Sequence, residues 1–195
     1  MELDYDKVGG LIPAIVQEER TGQVLMLGYM NEEALAETQR TKKVTFFSRS
    51  KNRLWQKGET SGNFLELISL QKDCDSDSLL VKVKPFGPTC HTGSYACFGE
   101  EEFGLGMLEK VIEQRWDSAS TDESYVQRLK QKGVKKIAQK VGEEGVEVAL
   151  EAMTENREEL IGELGDLLFH ALVVMKAKDV SLKDVLALLG QRHKK

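Results

Sequence analysis

Apolar and polar residues alternate in short runs through the first half of the chain and recur at helical spacing through the second. Alternation bounded by turn residues is the mark of half-buried strands. It predicts strands over Leu11–Val16, Val24–Tyr29, Val44–Ser48, Phe64–Leu70 and Leu79–Val83. Asn31 followed by Glu32 and Glu33 reads as an N-cap with acids in the first turn, opening a helix that runs to about Gln39. Beyond residue 100 the pattern predicts helices over 104–116, 122–131, 133–153, 157–176 and 181–190. All three prolines (13, 85 and 88) precede that point. Since a proline inside a helix costs about 3 kcal/mol, the second half is free to be helical throughout. The expected architecture is therefore two domains: a small α+β unit over 1–102 and an all-α helical bundle over 103–195, joined near Gly99–Gly104. The helical half, about 90 residues, buries a thin core on its own, which favours a dimer.

The chain of 195 residues carries 27 basic and 32 acidic side chains, for a net charge of −5, with no basic block. It therefore lacks the electrostatic footprint of a duplex nucleic-acid binder, and nucleic acid is not an expected partner. No apolar run reaches the roughly 18 residues that span a bilayer, so no membrane partner is expected either. The opening Met1-Glu2-Leu3-Asp4 is acidic where a secretory leader is basic. A cytoplasmic location is the expectation, and in a reducing compartment three cysteines point to metal or catalytic chemistry before disulfides.

The second half concentrates acids where helices should pack. Ile137, Val141, Val148 and Ala152 form one apolar stripe; Glu144 falls inside its edge, Glu147 on its shoulder and Glu143 further round. On the next helix Leu160, Leu164, Leu167 and Ala171 form the stripe, with Glu163 on its shoulder and Asp166 on the same side. An antiparallel hairpin turning near residue 155 sets Glu147 opposite Glu163 and Glu144 opposite Asp166. Carboxylates so close repel in a partly buried site, and a hard divalent cation such as Mg²⁺ or Mn²⁺ is the natural counter-charge. Gly142, Gly145, Gly162 and Gly165 lie beside these acids, each costing about 1 kcal/mol against Ala in a helix, as close helix approach or room for a ligand would require. A solvated acidic face, with pairs such as Lys140–Glu144, is the plainer alternative.

In the first half, Cys74, Cys90 and Cys97 lack the paired spacing of a structural zinc ribbon. Three thiolates with a fourth position left for water fit a catalytic zinc, although small buried thiols are an equal alternative. His91, next to Cys90, is a candidate acid or base. Asp73, Asp75 and Asp77 would share one face of an extended chain and Cys74 the other. An EF-hand is excluded by Ser78 at the sixth position and Lys84 at the twelfth. The segment Ser48–Gly62 packs cations, hydroxyls, glycines and Trp55 into a short span suited to phosphate and a purine face.

Taken in order, Trp55-Gln-Lys-Gly-Glu-Thr-Ser-Gly62, Asp73-Cys-Asp-Ser-Asp77, Cys90-His-Thr-Gly93 and Cys97-Phe98 resemble phosphoribosyl-AMP cyclohydrolase. Ser124-Tyr125, Ile137-Ala-Gln-Lys-Val-Gly-Glu-Glu-Gly-Val-Glu147 and Glu163-Leu-Gly-Asp166 resemble phosphoribosyl-ATP pyrophosphohydrolase. Together they resemble the bifunctional histidine-biosynthesis family that fuses the two. The resemblance implies a cyclohydrolase-like first domain and a MazG-like helical second domain that acts first, with Mg²⁺ on Glu143, Glu144, Glu147, Glu163 and Asp166. Lys140 would contact phosphate there. It implies that the first domain then opens the purine ring of phosphoribosyl-AMP with Zn²⁺ held by Cys74, Cys90 and Cys97, drawn from two subunits of a homodimer. A further Mg²⁺ would sit on Asp73, Asp75 and Asp77. His91 would move protons; Arg49, Lys57, Thr60 and Ser61 would hold phosphate and ribose, Trp55 would flank the base, and Glu59 belongs to the same substrate-binding set. Ala96 and Val126 stand where relatives often carry Ser and Thr, so a substrate hydrogen bond at either position is lost. Two other readings remain: a general nucleoside-triphosphate pyrophosphohydrolase with a regulatory cysteine half, and a non-enzymatic dimeric module stapled by zinc.

Overall fold

The computed structural model describes residues 2–118 and 124–193. The chain divides into two compact units, Met1–Phe103 and Gly104–Lys195. The first contains strands β1 (Ile12–Glu18), β2 (Val24–Met30), β3 (Thr45–Ser48), β4 (Arg53–Gln56), β5 (Leu65–Lys72) and β6 (Leu79–Pro85), with helix α1 (Glu32–Thr41) between β2 and β3. The second contains helices α2 (Leu105–Asp117), α3 (Tyr125–Glu151), α4 (Arg157–Ala177) and α5 (Leu182–His193).

In the first unit the sheet order is β2-β1-β6-β5, and β3 pairs with β4 as a separate hairpin. The β1–β2 and β5–β6 pairs are antiparallel, whereas β1 and β6 run parallel. A parallel pair needs a long crossover, and here everything from β2 to β5 supplies it. Ile12, Ala14 and Val16 of β1 and Leu79, Val81 and Val83 of β6 point to one face and are buried. The other face stays apolar in part: Ile15 is 39% exposed, and Leu27, its cross-strand partner, 46%. Helix α1 begins as its sequence requires, with the Asn31 side chain accepting from the Ala34 N–H at 2.9 Å. Gly28 is needed for packing, because a Cβ there would stand 2.4 Å from the Phe46 ring.

The β3–β4 hairpin was not expected from the alternation. Arg53–Gln56 is short and polar, and its strand form is provided by pairing, with Phe46 opposite Trp55 and their rings 5.8 Å apart.

In the second unit, the helices expected over 122–131 and 133–153 are joined in α3, which bends at Gly133 (φ 78°). Residues 122 and 123 lie outside the described residues, and Ser124 caps the helix. Its N–H donates to the Gln127 side chain at 2.8 Å while its hydroxyl accepts from the Gln127 N–H at 3.3 Å, a reciprocal cap that satisfies two backbone donors. The small core consists of Ile112, Val126, Leu129, Ile137, Leu172 and Val173. The buried side of α4 differs from the expected stripe: His170, Leu172 and Val173 are inside, while Leu164 is 41% exposed. Val146, Leu150 and Met153, at the C-terminal end of α3 and just beyond it, and Ile161 of α4 are also exposed. No helix among the described residues is long and apolar enough to cross a membrane.

Candidate active sites

The first unit has a cavity of about 420 Å³ whose walls come mostly from two loops, with Met26 of β2 also lining it. One follows β4 and contributes Lys57, Gly58, Glu59, Thr60 and Ser61, with Trp55 at the end of the strand; the other follows β6 and contributes Cys90, His91 and Cys97. The first loop closes on itself through the Gly62 N–H, which donates to the Gly58 carbonyl at 2.9 Å. Gly58 has φ +85°, and a Cβ there would meet the Asn63 backbone at 2.5 Å. The second loop is tied to β2 by the Cys97 N–H donating to the Leu25 carbonyl at 2.7 Å.

Two thiols and a buried amine share this cavity. The Thr92 hydroxyl donates to the Cys90 sulfur at 3.1 Å, which holds the Cys90 thiol below its ordinary pKa. Burial, with Cys90 beside it, pushes Cys97 up. Lys57, only 7% exposed, is pulled down by burial while the charges of Cys97 and Cys90 oppose the shift. The His91 Nδ1 lies 3.8 Å from the Cys90 sulfur. Glu59 is paired with Arg53 at 2.5 Å and held below the usual carboxylate range by it. Arg49 is not part of the wall; its guanidinium stacks over Tyr29 at 3.9 Å.

Cys74 stands apart from the other two thiols. It is exposed, does not line the cavity, and has its sulfur 3.9 Å from an Asp75 oxygen. Asp73, Asp75 and Asp77 do converge, with one oxygen from each within 4.8 Å of the others. The extended-chain picture of alternating faces is incorrect here. Residues 74–77 form a turn with Ser76 at φ 63°, and the turn gathers the three carboxylates. Asp73 accepts from the Ser78 hydroxyl at 2.5 Å and from the Asp77 and Ser78 N–H groups; these bonds, the hydroxyl first, hold its carboxyl at about 2. Lys7 pairs with Asp75, and with Asp77 at 2.6 Å.

In the second unit, Glu144 of α3 and Glu163 and Asp166 of α4 bring one carboxylate oxygen each within 4.8 Å of one another. Glu144 is 3% exposed. Lys140, one turn earlier, lies 2.9 Å from both Glu144 and Glu143 and holds both carboxyls low. Glu147 lies next to Glu144; sharing a hydrogen bond with it, together with burial and the charges of Glu144 and Glu163, pushes its carboxyl up. Glu143 turns to Lys140, Lys136 and Gln139 instead of joining the three. Among the described residues, one unit thus gathers carboxylate oxygens, and the other offers thiols beside a separate oxygen set. Such donor sets fit Mg²⁺-like and Zn²⁺-like ions respectively.

The two units also match two family models. Residues 26–99 match phosphoribosyl-AMP cyclohydrolase, and residues 105–193 match phosphoribosyl-ATP pyrophosphohydrolase. Over almost their whole length, curated relatives are similar to both units at once. The histidine biosynthesis bifunctional protein HisIE of Vibrio vulnificus (strain YJ016) is 52% identical over 198 residues, covering 98% of this chain and 93% of the relative. The protein of the same description from Yersinia pestis is 51% identical over 197 residues, covering 100% and 96%. That from Photobacterium profundum is 50% identical over 202 residues, covering 99% and 97%. The chain belongs to the HisIE family. It is a bifunctional hydrolase of histidine biosynthesis, with a cyclohydrolase domain and a pyrophosphohydrolase domain.

In this HisIE-family chain, two further residues stand beside the acidic site: His170, which no sequence motif singled out, and Tyr125, which entered only as part of the Ser124-Tyr125 motif. His170 is buried, with Nδ1 3.5 Å from Glu144, and the Tyr125 hydroxyl lies 3.0 Å from its Nε2. The helical spacing held a signal, since His170 follows Asp166 by four residues and Glu163 by seven and so shares their face. Lys7 also went unnoticed, because nothing in a sequence links residue 7 to residues 75 and 77 before folding.

Proposed function

We propose that the pyrophosphohydrolase domain acts first, cleaving phosphoribosyl-ATP to phosphoribosyl-AMP and pyrophosphate. The cyclohydrolase domain then opens the purine ring of phosphoribosyl-AMP by zinc-dependent hydrolysis, so that one cytoplasmic chain carries the second and third steps of the pathway. The observation that carries this reading is the separation of two unlike donor sets, carboxylates in one unit and thiols in the other.

In the helical domain, which we read as MazG-like, Glu144, Glu163 and Asp166 hold Mg²⁺, with Glu147 and Glu143 completing the acidic rim. Bound there, the ion offsets triphosphate charge and lowers the barrier for attack by water. Glu147, its carboxyl pushed up by its neighbours, marks where carboxylate repulsion favours a cation. Lys140 bridges Glu143 and Glu144 and is positioned to pass its charge to a phosphate oxygen.

In the cyclohydrolase domain Cys90 and Cys97 hold Zn²⁺ together with Cys74 of a second copy, and Asp73, Asp75 and Asp77 hold Mg²⁺. Zinc supplies Lewis acidity for adding water to an electron-poor ring carbon. The exposure of Cys74 away from the cavity and the uncovered apolar pair Ile15 and Leu27 both support a homodimer that completes the site. Lys57, Thr60 and Ser61 bind phosphate and ribose, Glu59 orients the ribose, Trp55 flanks the base, and His91 moves the proton between water and the ring nitrogen. Arg49 joins the substrate from its place on Tyr29.

Supplying the intact protein with Mg²⁺, Zn²⁺ and either phosphoribosyl-ATP or ordinary nucleoside triphosphates, and separating the products by chromatography, tests this. The expected products from phosphoribosyl-ATP are pyrophosphate and a ring-opened aminoimidazole carboxamide. Comparable hydrolysis of ordinary triphosphates without ring opening would sink the reading in favour of a general pyrophosphohydrolase.

A further inference from the structure

Behind the acidic site of the second unit lies a polar chain that runs between two helices. His170, on α4, is 3% exposed. Its Nδ1 is 2.9 Å from the backbone carbonyl of Asp166. A carbonyl can only accept, so the ring carries a proton on Nδ1. In the neutral ring Nε2 is then an acceptor for the Tyr125 hydroxyl at 3.0 Å. The same Nδ1 lies 3.5 Å from Oε1 of Glu144, the oxygen that Lys140 meets at 2.9 Å. Glu144 is therefore flanked on one oxygen by the Lys140 ammonium at 2.9 Å and, at the longer 3.5 Å, by the edge of an imidazole whose N–H bonds the Asp166 carbonyl. Tyr125, the first residue of α3, is itself fixed: its ring stacks on Phe169 with centroids 5.9 Å apart and meets His170 edge-on at 5.8 Å.

The two groups beside Glu144 differ once a cation is bound. An ammonium beside a metal-bound carboxylate repels the metal, whereas the imidazole, held by the Asp166 carbonyl on one side and the Tyr125 hydroxyl on the other, limits where the Glu144 carboxylate can turn. Ligand carboxylates at metal sites are commonly aimed by such outer partners, whose loss weakens metal binding by about 10–100-fold.

We propose that Tyr125 and His170 are a positioning pair for the cation site of the pyrophosphohydrolase domain, His170 orienting Glu144 and the Tyr125 hydroxyl fixing His170. This rests on the reading of Glu144, Glu163 and Asp166 as that cation site. Neither residue touches substrate in this role; each acts through Glu144.

The test is Mn²⁺ binding to the intact chain, followed by the electron paramagnetic resonance of free Mn²⁺. The class of sites in question is the one that Glu144→Gln removes, which separates it from any site on Asp73, Asp75 and Asp77. Tyr125→Phe deletes one hydroxyl and leaves the ring. It is expected to weaken that class about 10-fold and to raise the half-saturating Mg²⁺ for pyrophosphate release by the same factor. His170→Leu is expected to weaken it about 100-fold, and His170→Asn, which keeps a donor near the Nδ1 position, to recover most of the loss. Ring opening of supplied phosphoribosyl-AMP should not change in any of the three. Unaltered Mn²⁺ affinity in both Tyr125→Phe and His170→Leu overturns the positioning pair while leaving the cation site standing. If the parent protein shows no class of sites that Glu144→Gln removes, the cation site itself is wrong, and the pair falls with it.

Discussion

Glu144→Gln is expected to lower pyrophosphate release from phosphoribosyl-ATP on the order of 10³-fold, the usual cost of removing one preorganised electrostatic partner of a transition state. Ring opening of supplied phosphoribosyl-AMP should be untouched. The substitution keeps the shape of the side chain and removes one charge from a set whose carboxylate oxygens converge within 4.8 Å. Glu144 is the buried member of that set, so its charge is the least screened and the most costly to lose. The fold should survive, because Lys140 keeps its 2.9 Å pair with Glu143. A coupled pyrophosphate assay run beside an ultraviolet assay of the ring-opened product measures both rates on one preparation. Parallel loss of both would contradict independent sites.

The mirror result is expected for Cys90→Ser: ring opening falls at least on the order of 10³-fold while pyrophosphate release stays at the parental rate. Serine preserves the size of the side chain, and Thr92 could still donate to it, but a hydroxyl does not ionise in the range where a thiol does. The environment of Cys90 favours its anion, since the Thr92 hydroxyl bonds its sulfur at 3.1 Å and holds its pKa down. Lys57 and Cys97 line the same cavity. The variant should also bind less zinc per chain, as measured by atomic absorption after gel filtration. Full zinc content together with full ring opening would remove Cys90 from the ligand set.

These two sites were legible in the sequence to different degrees. The acidic hairpin could be read because helix geometry converts spacing into position, and one antiparallel register sets Glu144 against Asp166. The same geometry did not separate Glu143 from the rest; its path to Lys136, Lys140 and Gln139 depends on long side chains choosing partners. The first unit is harder to read because its chemistry lies on loops. Cys90 and Cys97 share a cavity through backbone bonds such as that from Cys97 to Leu25, and no periodicity encodes those. Residues 73–77 looked like extended chain, yet Asp73 accepts three local hydrogen bonds and folds the segment into a turn, a case of local side-chain bonding overriding strand geometry. Strands β1, β2, β5 and β6 followed their alternation, while β4 exists through its pairing with β3. The break expected between helices over 122–131 and 133–153 proves to be a bend at Gly133 within α3.

The most direct test uses metal-depleted protein, phosphoribosyl-ATP and stepwise return of metals, with products resolved by chromatography. Mg²⁺ alone should restore pyrophosphate release and leave phosphoribosyl-AMP to accumulate, and subsequent Zn²⁺ should convert that pool to the ring-opened product. Ring-opened product at full rate with zinc withheld, or pyrophosphate release that persists in a strong chelator, would contradict a chain in which an oxygen-lined metal site serves pyrophosphate release and a sulfur-lined one serves ring opening.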